Sequence, residues 1–125
     1  MTARNTVLLI DDDQRLVKGL QDFLEAHGYV VYSAFDGAQA YPQASARNPS
    51  LIILDVDMPV TDGIKALGQL RAHPETQFIP VIMMTGVASA KIYPVIENQP
   101  LVSHVKKPVD PDDLLSLINH LMPKK

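Results

Sequence analysis

The chain has 125 residues, 14 acidic against 11 basic side chains, a formal net charge of −3 and no cysteine. That length suits one domain with its own core, expected over residues 5–122, with no need of a disulfide or structural metal. No basic block supports contact with nucleic acid, no apolar run approaches the ~18 residues of a membrane span, and the N-terminal MTARNT lacks a signal-peptide core. The missing cysteines fit a reducing cytoplasm.

Val7–Ile10 is the first apolar run, about one strand long and without polar alternation, as expected of a strand covered on both faces. It ends in Asp11, Asp12 and Asp13, and Asp13 suits the N-cap of the helix that follows. In that helix Leu16, Leu20, Phe23, Leu24 and His27 form one stripe, with Gly28 as its stop. Val30–Ala34 predicts the second strand and Ala38–Arg47 a weaker helix, because Pro42 falls inside it. Leu51–Leu54 predicts the third strand, ending in Asp55, Val56 and Asp57. Gly63–Ala72 follows as a helix with Ile64, Leu67 and Leu70 on one face. Val81–Met84 is the fourth strand and runs into Thr85 and Gly86. Ser89–Glu97 is a second weak helix, interrupted by Pro94; it is expected to be bent or short and the least stable helix of the domain. Val102–Val105 is the fifth strand, running into Lys106, Lys107 and Pro108. Asp110 then caps a final helix with Pro111 at its first position and Leu114, Leu115, Ile118 and Leu121 as its buried stripe.

Five βα units in sequence imply a parallel α/β sheet with right-handed crossovers and helices on both faces. In such folds the site lies beyond the carboxyl ends of the strands, where the strand order reverses. Asp55 and Asp57 could punctuate a turn, hold a metal or attack a substrate. If strands one and three are neighbours, at least three carboxylates converge, and two of them ~5 Å apart repel by roughly 3 kcal/mol at an effective dielectric of ~20. Such a cluster calls for a cation or a proton. All-oxygen ligands around a gap favour Mg²⁺, and a lysine from strand five with a hydroxyl from strand four would complete a phosphoryl site.

The segments VLLIDDD, LIILDVDMPVTDG, IPVIMMTG and VKKPVDPDDLL stand in this order over nearly the whole chain. Together they resemble the response-regulator receiver domain of bacterial two-component signalling, the CheY-like superfamily. The resemblance implies a flavodoxin-like, doubly wound five-stranded parallel sheet of order 2-1-3-4-5. It implies that Asp55 accepts a phosphoryl group from a sensor histidine kinase or a histidine phosphotransfer protein. Asp12 would bind Mg²⁺ directly, Asp11 mainly through water, and Asp57 through its backbone carbonyl, with Asp55 completing the set. Thr85 matches the hydroxyl that turns toward the phosphoryl oxygens, Gly86 the small residue beside it, and Lys107 the lysine that pairs with the acceptor. Lys106 is expected in solvent, and the Lys107–Pro108 bond is expected to be cis. Such a domain is not an enzyme beyond its own phosphorylation and slow dephosphorylation. It signals by changing partner binding on the face near the fourth helix, fifth strand and fifth helix, and contacts neither nucleic acid nor membrane directly.

One departure is His104, three residues before Lys107, where the family usually carries Tyr or Phe. It is a switch candidate or an exposed strand residue with no switching role. A second is ENQPLVSHV, where the family often has a Gly-Ala pair leading into strand five. LDVDMPV also looks like the DxD motif of haloacid-dehalogenase-type phosphatases, although that motif normally sits on the first strand of a longer chain. A third reading is a degenerate receiver serving only as a binding module. The chain is expected to be either a stand-alone receiver or one part of a larger regulator; its output partner is not named by the sequence.

Overall fold

The computed structural model describes residues 5–58, 61–86, 94 and 99–122. Strands β1 (Thr6–Ile10), β2 (Val30–Ala34), β3 (Leu51–Asp55), β4 (Val81–Thr85) and β5 (Val102–Lys106) form one parallel sheet of order β2-β1-β3-β4-β5, as expected. The helices described over more than one turn are α1 (Gln14–Ala26), α2 (Ala40–Arg47), α3 (Gly63–Arg71) and α4 (Pro111–Leu121). The weak helix expected over Ser89–Glu97 lies outside the described residues, apart from Pro94.

Two core layers sandwich the sheet. On one face Leu8, Ile10, Ile52, Leu54, Val81 and Met83 meet Ala40 and Ala44 of α2 and Ala66, Leu67 and Leu70 of α3. On the other, Val7, Leu9, Leu51, Ile53, Ile82 and Met84 meet Val17, Leu20 and Leu24 of α1 and Leu114 and Ile118 of α4. Adjacent strand residues thus alternate between two apolar layers, which is why β1, β3 and β4 read as continuous apolar runs and are buried at every position. β2 and β5 depart from that expectation. They are the edge strands and keep exposed or half-buried positions, His104 among the exposed ones.

Local chemistry sets the helix ends. Asp13 accepts from the backbone N–H groups of Arg15 and Leu16, Asp62 from Lys65, and Asp110 from Asp112 and Asp113, so each caps the helix that follows it. At the end of α1, Gly28 takes φ 94°; its N–H donates to the Glu25 carbonyl and that of Tyr29 to Leu24, a complete Schellman stop. Pro42 does not break α2, because a 3₁₀ turn at Gly37–Gln39 precedes the helix and leaves Pro42 third within it. Its missing N–H falls among those that have no intrahelical partner anyway.

Candidate functional site

The topology brings the ends of β1, β3, β4 and β5 side by side on one edge of the sheet. Asp55 is the last residue of β3 and is 1 % exposed; Asp11, directly after β1, is fully buried. Both are held by short loops of their own making. The N–H of Asp13 donates to Asp11 Oδ1 at 2.9 Å, and that of Asp57 to Asp55 Oδ1 at 3.3 Å. Gly63 lets α3 start against this turn: a Cβ there would lie 2.3 Å from the Asp55 carbonyl oxygen.

Lys107 enters from the opposite side, directly after β5. Its Nζ lies 2.9 Å from Asp11 Oδ2 and 3.1 Å from Asp55 Oδ1, so one ammonium bridges both buried carboxylates. Its backbone N–H donates to the Thr85 carbonyl at 2.7 Å, and the Lys107–Pro108 bond is cis. Asp12 is exposed at the rim, and ligand oxygens of Asp11, Asp12 and Asp55 lie within 4.8 Å of one another. Among the described residues, these three carboxylates form the one group of this kind.

Electrostatics follow from that crowding. Burial, then the facing Asp11 carboxylate, push the Asp55 carboxyl up to about 6, against the pull of Lys107. Asp12 is raised by desolvation and by its hydrogen bond and charge contact with Asp11. Burial alone would lower the Lys107 ammonium, but its bonds to Asp11 and Asp55 outweigh burial and raise it. Three carboxylates against this ammonium leave an excess of negative charge, and their all-oxygen donor set fits a hard divalent cation such as Mg²⁺.

Thr85 is buried at the end of β4, but its hydroxyl does not face the acids. It donates to the Val105 carbonyl of β5 at 3.2 Å. Asp57 is exposed, and its carboxylate reaches across toward Gly86, where a Cβ would come within 3.1 Å of Oδ2. Asp13 is occupied as a helix cap, in keeping with the structural role expected of it. Lys106 is exposed. His104 pairs in register with Met83 and is exposed near the middle of β5, a strand residue rather than a member of the carboxylate group. The sequence-predicted residues Asp11, Asp12, Asp55 and Lys107 are therefore brought together, with Thr85 and Asp57 at the margin. The reach of Asp57 toward Gly86 carried no sequence signal, because it depends on how two loops meet.

The family described as the response regulator receiver domain matches residues 7–119. The chain belongs to that family. This receiver domain is 31 % identical over 122 residues to the regulatory protein AtoC of Escherichia coli K12, covering 98 % of this chain and 26 % of that one. It is 34 % identical over 116 residues to the protein named "Probable transcriptional regulator ycf29" of Porphyra purpurea, covering 93 % of this chain and 56 % of that one. The chain thus spans about half the length, or less, of these curated relatives. Among solved structures, the receiver domain resembles the chemotaxis protein CheY4 of Vibrio cholerae with a TM-score of 0.85 and 27 % identity, covering 94 % of this chain and 98 % of that one. It also resembles the signal receiver domain of a histidine kinase from Syntrophus aciditrophicus, with a TM-score of 0.82 and 27 % identity over 94 % of this chain and 89 % of that one. Among the described residues no helix is long and apolar enough to cross a membrane.

Proposed function

We propose that this receiver domain is an active phosphoacceptor, taking a phosphoryl group onto Asp55 from a phosphohistidine of a sensor kinase or phosphotransfer protein in the cytoplasm. The observation that carries this reading is the shared ammonium of Lys107, held between buried Asp55 and buried Asp11 with Asp12 beside them. A carboxylate oxygen of Asp55 attacks phosphorus, the P–N bond breaks, and the histidine leaves as its imidazole. The Lys107 ammonium then faces the phosphoryl oxygens instead of a bare carboxylate. Asp11, Asp12 and Asp55, with the backbone carbonyl of Asp57, would hold Mg²⁺, which neutralises phosphoryl oxygens when bound. Turning the Thr85 hydroxyl off Val105 and toward the phosphoryl group would couple the modified site to β5 and so to partner binding. His104 remains the switch candidate on that strand, and slow hydrolysis would reset the domain.

A phosphatase reading has no observation of its own, because the DxD-like segment ends the third strand and not the first. A degenerate binding module is disfavoured because acceptor, acidic pair and lysine converge in one place. The test is incubation with acetyl phosphate and Mg²⁺: one alkali-labile phosphoryl group should appear on Asp55 and be absent from Asp55→Asn. Equal labelling of the two proteins would refute the assignment.

A further inference from the structure

We propose that Arg71 is a positioning residue for this site, fixing where β5 begins and thereby where Lys107 is delivered. The inference rests on the phosphoacceptor reading above and extends it to a residue at the opposite end of the sheet.

β5 is an edge strand with β4 as its sheet neighbour. Its apolar anchors are Val102 and Val105, both half-buried, and they pack against different core layers. A strand so sparsely anchored specifies its register weakly by hydrophobic pattern. The cost of a slip is chemical, because a one-residue shift would present Lys106 or Pro108 where Lys107 now stands. Something other than side-chain packing must hold the start of the strand.

Arg71, the last residue of α3, stands at that point. Its guanidinium donates from Nη1 to the Ile79 carbonyl at 2.9 Å and to the Thr76 carbonyl at 3.4 Å, and from Nη2 to the Leu101 carbonyl at 3.4 Å. Ile79 lies just before β4 and Leu101 just before β5, so one planar fork ties the entries of both strands to the end of α3. The Leu101 carbonyl also accepts the Val81 N–H at 2.9 Å, the first bond joining the two strands. Leu101 takes φ 65°, a left-handed conformation uncommon outside glycine, so this turn is held against its own preference. Among the described residues Arg71 has no carboxylate partner, and its buried Nε has no hydrogen-bond partner. A half-buried cation bound to backbone carbonyls alone acts through geometry. At the far end of the same ladder, Lys107 donates its N–H to Thr85, and its ammonium reaches Asp11 and Asp55.

The test uses the full chain with Arg71→Ala, Arg71→Gln and Arg71→Lys, each under conditions where circular dichroism shows it folded. Amide exchange is read at Val81, at Lys107 and, as a control, at Ile53 of the central strand. In Arg71→Gln, protection should fall at both Val81 and Lys107 and hold at Ile53. The rate of labelling by acetyl phosphate at saturating Mg²⁺ should drop roughly ten- to a hundredfold, the penalty of a small misplacement of a reacting group. The Mg²⁺ concentration giving half the maximal rate should stay the same, because the carboxylates have not moved. Arg71→Lys should recover part of the rate and Arg71→Ala none. A lowered melting temperature with unchanged Lys107 protection and unchanged saturating rate would overturn the proposal and leave Arg71 a stabilising residue only. If the wild type takes no label, the phosphoacceptor reading fails. The exchange measurement, which needs no phosphodonor, still decides whether Arg71 holds β5.

Discussion

β3 and β5 each deliver one charged side chain to the same point, from very different surroundings. β3 lies at the centre of the sheet, pairs with β1 and β4, and is buried at every position. β5 pairs with β4 at the edge and alternates between half-buried and exposed. The Asp55 carboxylate therefore rests on a part of the molecule whose register the core dictates. The lysine rests on a part whose register needs help. Such a division would suit the proposed switch: the Asp55 carboxylate stays fixed while the ammonium that answers its charge sits on the more adjustable strand.

The comparison can be tested most severely by cavities. Ile53→Ala in β3, fully buried, should lower unfolding free energy by about 2–5 kcal/mol in urea titration. A loss under 1 kcal/mol would mean that the centre of the sheet is not the rigid half.

Titration is the next strongest probe. Asp55 binds its proton more tightly in the folded chain, at about 6, than at its ordinary 3.8. Its contribution to metal-free stability is thus full below about pH 4 and lost as pH rises through about 6, on the order of 3 kcal/mol in total. Stability measured as wild type minus Asp55→Asn should follow that curve, and Mg²⁺ should flatten it. A difference independent of pH would show that Lys107 already offsets the crowding.

Lys107→Ala sharpens the contrast from the other side. It leaves Asp11 and Asp55 without their shared ammonium and should lower stability at pH 8 by about 1–3 kcal/mol, and by less at pH 5, where Asp55 can protonate. Calorimetry should find Mg²⁺ affinity no weaker than in the wild type. A large fall in that affinity would contradict the division of labour between lysine and metal. The smallest effect belongs to Val105→Ala, which should cost about 1 kcal/mol because its side chain is only half-buried. A loss matching that of Ile53→Ala would erase the distinction between the strands.

Much of this was legible before any coordinates. The five strands lie within a residue of their expected bounds, and for β1, β3 and β4 the reason is that each apolar run is sandwiched between two layers. Asp13, Asp62 and Asp110 show capping as local chemistry, and Asp13 and Asp110 were readable from the sequence as such. Pro42 misled toward a weak helix because a proline is harmful only beyond the first turn, and the first turn was not known. The exposure of Val30 in β2 was hidden because a valine at an edge looks like one at the centre, whereas His104 and Lys106 of β5 could be read as outward-facing from their chemistry. Arg71 gave no signal at all. Its acceptors are backbone carbonyls 5, 8 and 30 residues away, and carbonyls carry no residue identity.

The hydrogen bond from Thr85 to Val105 has a further consequence. A hydroxyl has one proton to give, so Thr85 cannot donate to the β5 backbone and to a phosphoryl oxygen at once. The two bonds are rivals for the same atom, and rivalry makes the linkage reciprocal. On the proposed phosphoacceptor reading, a protein that binds β5 and favours loss of the Val105 bond would raise the affinity of the site for a phosphoryl group, and one that favours keeping it would lower that affinity by the same reasoning. A downstream partner would then be more than a reader of the signal. It would share in setting how long the signal lasts.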